Sequence, residues 1–155
     1  MAVYYLDTSA LVKRYALEAG TTWMVELTDR SAQHDLFTAR ITGPEMIAAI
    51  FRKVRTGEIG LSAAVRSAAD FKSDWKDQFQ LVELNAVITE SAMRLAEKHG
   101  LRGYDAVHLA AAVELHAVRS AMSLPPLIFV SADEAQLTVA VREGLSPENP
   151  NNHVL

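Results

Sequence analysis

Cysteine is absent from the 155-residue chain, and its absence excludes three kinds of chemistry. No disulfide framework, Cys-ligated zinc site or thiol nucleophile can operate. Such a composition suits a reducing cytoplasm. Long hydrophobic runs are lacking too. The longest, Ala106 to Val113, is interrupted by His108 and falls far short of the roughly 20 residues that span a bilayer. The amino-terminal Met1-Ala2-Val3-Tyr4-Tyr5-Leu6-Asp7 has no basic residues ahead of its short apolar stretch, so it does not read as a secretory signal. A soluble, cytoplasmic protein with no membrane role is expected. A basic excess is also missing: 15 Lys and Arg stand against 19 Asp and Glu, a net charge of −4. That counts mildly against nucleic-acid binding, which usually shows as positive charge. The objection is bounded, because a divalent cation held at an acidic site inverts the local field.

What is present is an ordinary globular composition, half hydrophobic, of a length that suits one domain with its own core. Short apolar runs at Val3–Leu6, 35–41, 79–84 and Leu127–Val130 read as strands. Helical spacing appears over 8–18, 21–30, 42–55, 61–79, Ala86–His99, 104–119 and 133–143. Strands thus alternate with helices. This predicts an α/β domain over residues 1–145, with a mostly parallel central sheet of four or five strands flanked by helices. Residues 146–155, rich in Pro and Asn, read as a loop or tail.

Four carboxylates fall at informative places. Asp7 and Asp133 lie at or just past the carboxyl ends of two predicted strands, and Glu45 opens the helix after a third. Sites in open α/β sheets gather at that edge. Asp105 opens a helix that is apolar nearly all round its first half, so it needs a partner. Each acid also has a reading without chemistry. Asp7 and Asp105 are placed to cap helices. Glu45 completes a Thr42-x-x-Glu45 capping box, and Asp133 lies inside Ser131-x-x-Glu134. The four together are harder to dismiss. Two carboxylates 4 Å apart repel by about 4 kcal/mol at an effective dielectric near 20. A raised pKa or a bound cation would relieve that. An oxygen-only donor set selects a hard ion, Mg²⁺, Mn²⁺ or Ca²⁺, and Mg²⁺ held by one or two carboxylates is the chemistry of phosphodiester hydrolysis.

Four segments resemble the motif regions of PIN-domain nucleases, and most closely the VapC toxins of type II toxin–antitoxin pairs. They are Tyr5-Leu6-Asp7-Thr8-Ser9-Ala10-Leu11, the Glu45 helix, Arg102-Gly103-Tyr104-Asp105-Ala106-Val107-His108-Leu109-Ala110, and Phe129-Val130-Ser131-Ala132-Asp133-Glu134. The first and third are quite specific in combination; the second and fourth are weak alone. The resemblance implies a PIN-like three-layer sandwich and a Mg²⁺-dependent endoribonuclease, with Mn²⁺ as the alternative ion. It also implies a homodimer and a cognate antitoxin. Carried over residue by residue, it makes Asp7 and Asp105 the principal metal ligands. Glu45 and Asp133 complete the acidic cluster, directly or through water. Ser9 and Ser131 orient water or a carboxylate.

Among the remaining residues, Lys13 and Arg14 are the candidates for RNA contact. Arg52, Lys53 and Arg55 read more simply as a solvated face. His108, three residues after Asp105, lies on a neighbouring helix face and is read either as a satisfied buried histidine or as a group reaching the site. A haloacid-dehalogenase-type phosphatase would need an Asp where Ser9 stands. A dinucleotide site would need a Gly-rich turn that Asp7-Thr8-Ser9-Ala10 lacks. The rival from another class is a catalytically silent PIN-like module that binds RNA or protein.

Overall fold

The computed structural model describes residues 1–154. Five strands form one sheet: β1 (Val3–Leu6), β2 (Asp35–Ala39), β3 (Gln80–Val82), β4 (Leu127–Val130) and β5 (Ser146–Glu148). They lie in the order β3-β2-β1-β4-β5, and every pairing is parallel. The helices are α1 (Thr8–Tyr15), α2 (Thr21–Leu27), α3 (Thr42–Arg55), α4 (Leu61–Asp77), α5 (Ala86–His99), α6 (Gly103–Ala121) and α7 (Glu134–Arg142).

Strand side chains alternate between two faces, and that alternation builds two cores. Val3, Tyr5, Leu127 and Phe129 point into a core closed by α5, α6 and α7. Leu6, Leu36 and Val130 point into another closed by α1, α2, α3 and α4. The result is the expected three-layer sandwich. The first half of helix α6 is apolar nearly all round and is buried, the helix packing against α5, α7, β2 and β4. Its Ala110-Ala111-Ala112 run is fully buried.

Of residues 146–155, read from sequence as loop or tail, the first three are built into the sheet as β5. Ser146, Pro147 and Glu148 pair with Ile128, Phe129 and Val130, and a 3-10 turn follows at Pro150–Asn152. Pro147 is tolerated because β5 is an edge strand, where an N–H is dispensable. Leu155, the end of that segment, lies outside the described residues. The turn also explains Gly20. With φ +87°, a Cβ there would lie 2.5 Å from the Pro150 carbonyl oxygen.

The central strand β1 feeds β2 on one side and pairs with β4 on the other. The connectivity therefore switches direction between β1 and β4. In parallel sheets the crevice at such a point, beyond the strand carboxyl ends, is where ligands bind.

Candidate active site

Asp7 follows β1 at this switch point, and its backbone N–H donates to the Val130 carbonyl of β4 at 3.0 Å. It sits at the N-cap of α1, yet its side chain caps nothing. Instead its Oδ2 accepts from Ser9 Oγ at 3.0 Å and from Ser131 Oγ at 2.8 Å. The two hydroxyls are 3.2 Å apart, and each also accepts a backbone N–H, Ser9 from Ala132 and Ser131 from Asp133. This small network clamps one oxygen of a buried carboxylate and leaves Oδ1 free of it.

Asp133 is the N-cap of α7, with Oδ1 accepting from the N–H groups of Ala135 and Gln136. Its capping role is real, and it occupies one oxygen. The Ser131 capping box does not form, because Ser131 is held by Asp7 and Glu134 accepts from Asn149. Asp105 lies in the first turn of α6, half-buried rather than sealed. Burial, then the charge of Asp7 and more weakly that of Asp133, push its carboxyl above the ordinary range; the exposed Arg102 guanidinium, 3.4 Å away, works against them. Gln136 from α7 donates to the Asp105 backbone carbonyl at 2.7 Å and so ties the two acid-bearing helices together.

Glu45 is held from above and below. Its Oε1 accepts from Thr8 Oγ1 at 2.9 Å and lies 2.6 Å from His108 Nε2. The Thr42 box is not formed: Ile41 is the N-cap of α3, and the Thr42 hydroxyl is engaged by Thr38 at 2.8 Å. His108 is buried, with Nδ1 2.8 Å from the Tyr5 hydroxyl and Nε2 3.8 Å from Asp7 Oδ1. Burial would lower the His108 pKa, but Asp7 and Glu45 outweigh it and hold it above the usual value. Burial would likewise raise Glu45, and the His108 hydrogen bond outweighs it and lowers it.

Asp105 therefore senses the charges of both Asp7 and Asp133, and Glu45 is joined to Asp7 through His108. Among the described residues, no three His, Asp or Glu side chains form a ready cage for a metal ion. The donor set still fits a hard divalent cation. Its free donors are oxygens, the cation paired with Asp105 is the exposed Arg102, and Mg²⁺ characteristically needs only one or two carboxylates and keeps its waters.

A family model described as PIN domain matches residues 4–141, nearly the whole chain. Two relatives from Mycobacterium tuberculosis strains, Ribonuclease VapC45 and Ribonuclease VapC49, are each 35% identical over 116 residues, which is 73% of this chain and 76% of theirs. The chain belongs to the PIN-domain family, among the VapC ribonucleases. Solved structures agree on the fold. The Pyrobaculum aerophilum protein PAE2754 superposes with a TM-score of 0.61 at 20% identity, over 98% of this chain and 94% of that one. A Rickettsia felis VapBC2 complex, bound to a DNA fragment from its promoter, gives 0.56 at 16% identity, over 95% and 98%.

Within this PIN domain, sequence reasoning had no access to several site residues. Tyr5, Thr8, Thr42 and Gln136 read as core or helix-start residues, because nothing local marks their partners. His108 carried a faint signal, its spacing from Asp105. Both of its readings hold, since it is buried and satisfied by the site itself. Lys13 is not available for RNA. It is buried, and its ammonium pairs with Glu18 at 2.9 Å. It lies on the inward side of the short helix α1, where a long side chain folds back to find an acid. Arg14 is half-buried over the Tyr15 ring, and Lys53 is paired with Glu18 and Glu58.

Proposed function

We propose that this PIN domain is a divalent-cation-dependent endoribonuclease that hydrolyses RNA phosphodiester bonds and serves as the toxin of a type II toxin–antitoxin pair. One observation carries the proposal: at the switch point of the sheet the buried Asp7 carboxylate is clamped by Ser9 and Ser131 through Oδ2 alone, and its charge helps to push the Asp105 carboxyl above the ordinary range. A protein with no use for a cation gains nothing from crowding acids at a sheet edge. What Mg²⁺, or Mn²⁺ in its place, supplies when bound is charge stabilisation at the phosphate and a more acidic water. Asp7 and Asp105 would hold the ion. Asp133, with Oδ1 engaged in its helix cap, would add its other oxygen directly or through water. Glu45 would orient hydration water. The relatives bear the name ribonuclease, and the VapBC2 neighbour is a toxin–antitoxin assembly, which supports a cognate antitoxin partner here. The proposal includes a homodimer acting in the cytoplasm. No helix among the described residues is long and apolar enough to cross a membrane.

The test is cleavage of RNA by the pure protein with Mg²⁺, with EDTA, and as Asp7→Asn. Cleavage is expected only in the first. Equal cleavage by Asp7→Asn would remove the mechanism, and RNA bound but left intact with either ion would favour a silent binding module. Expression of the chain alone should slow growth, and co-expression of a small neighbouring open reading frame should relieve it.

A further inference from the structure

A deeply buried polar group near the acids is the His108 imidazole, 1% exposed and set between Val107 and Leu109 on its helix. A residue there to fill the core needs no nitrogen, and an unpaired one would be costly to bury. Yet both ring nitrogens are engaged, and with partners from two other elements. Nδ1 meets the hydroxyl of Tyr5 on β1, and Nε2 meets Glu45 on α3. Tyr5 is itself wholly buried and stacked flat on Phe129, with ring centroids 5.6 Å apart. It packs edge-on against the imidazole at 6.0 Å. The ring orientation is thus set by packing, not only by its hydrogen bonds. A carboxylate only accepts, so Nε2 carries the hydrogen toward Glu45 whichever charge the ring bears.

We propose that His108, braced by Tyr5, is the positioning residue for Glu45. The strut runs from the central strand through α6 to the first turn of α3, and so over the carboxyl edge of the sheet from one core to the other. With Thr8 it delivers two donors to one oxygen, Oε1, and this fixes the carboxylate plane. Because neither nitrogen is left over, His108 does not itself exchange a proton with substrate. Its effect on catalysis runs through Glu45. This inference rests on reading the acidic cluster as a nuclease centre.

Two variants of similar bulk separate the roles. Asparagine places its amide near imidazole Nδ1 and keeps only the Tyr5 contact. Glutamine reaches to the Nε2 position and keeps a donor toward Glu45. His108→Asn is expected to lower kcat on the order of 10- to 100-fold, as loss of groups that orient ligands around a metal does, with KM nearly unchanged. His108→Gln should recover most of that loss. In a Glu45→Ala background His108→Asn should change little, because its route is gone. Melting curves confirm that each variant folds. A second readout needs no activity: in the metal-free protein the His108 Nε2–H should give a slowly exchanging, downfield proton resonance that Glu45→Ala abolishes. Asn and Gln behaving alike, or His108→Asn costing as much without Glu45 as with it, would overturn the proposal. If the wild type cleaves no RNA, the nuclease reading falls by itself, and the proton resonance still decides the strut: persistence in Glu45→Ala refutes it.

Discussion

Ser131→Ala tests whether the hydroxyl clamp on Asp7 is a structural fact with energetic weight. Ser131 is fully buried, and its Oγ donates to Asp7 at 2.8 Å while accepting the Asp133 N–H at 3.1 Å. The substitution removes both bonds and almost no volume. A hydrogen bond to a charged acceptor contributes about 1.5–3 kcal/mol, and a stranded, part-buried amide costs about 1 kcal/mol more. Asp7 keeps its Ser9 donor at 3.0 Å, which limits the damage. The expected loss is therefore about 2–4 kcal/mol, a Tm drop of roughly 5–15 °C for a domain of this size. The protein should still fold, since domains typically hold about 5–15 kcal/mol. The assay is urea unfolding followed by circular dichroism in EDTA, repeated in an Asp7→Ala background. There the cost should shrink by about 1–2 kcal/mol, because the charged acceptor is gone. A loss below about 0.5 kcal/mol, the size of an ordinary surface change, or an equal loss in both backgrounds, would refute the clamp.

Three further outcomes follow from the ion pairs and the turn. Glu18 accepts from Lys13 at 2.9 Å and Lys53 at 2.6 Å. Burial opposes its charge, but the two ammonium groups prevail and lower its pKa from 4.5. Its contribution is thus fully present above the unfolded value and lost as pH falls through the lower folded one. Glu18→Gln should cost about 1–3 kcal/mol at neutral pH, discounted for partial exposure, and should flatten the acid limb of a stability–pH curve; an unchanged acid limb would count against the pairing. Arg102→Ala removes the cation paired with Asp105, so Mn²⁺ titration should show binding tightened about two- to fivefold, in keeping with a surface pair. Weaker binding would contradict the competition. Gly20→Ala should destabilise by more than about 2 kcal/mol, since it adds a backbone clash to left-handed strain, whereas Gly57→Ala, with open space around it, should show only the roughly 1–2 kcal/mol of strain. Equal losses in denaturant melts would mean that the Pro150 contact is not tight.

The periodic features were legible because they are local. Val3 to Leu6 alternates into two cores, and Asp7 stands where such a strand must end. The first half of helix α6 announced its burial by having no polar face, and Gly144, at φ +87°, ends α7 as glycine does beyond a helix. Asp7, Glu45 and Asp133 could be placed at one sheet edge on those grounds alone, with Asp105 marked only as needing a partner and the family resemblance adding their roles. The capping boxes at Thr42 and Ser131 were the natural local reading. They do not form, because α3 begins one residue earlier, with Ile41 at its N-cap and the Thr42 hydroxyl on Thr38, and because the Ser131 hydroxyl is taken by the distant Asp7.

Local spacing along the chain thus governs which segments become strand or helix and which acids end up beside a strand terminus, since backbone preference and burial pattern act over a few residues. Folding in three dimensions alone settled which groups meet. Tyr5 and His108 are 103 positions apart, Ser131 and Asp7 124. Neither contact exists until β4 pairs beside β1 and α6 packs over the sheet. The same holds for Ser146–Glu148, whose hydrogen bonds belong to the exposed edge of β4, and for Lys13, which the fold turns inward onto Glu18.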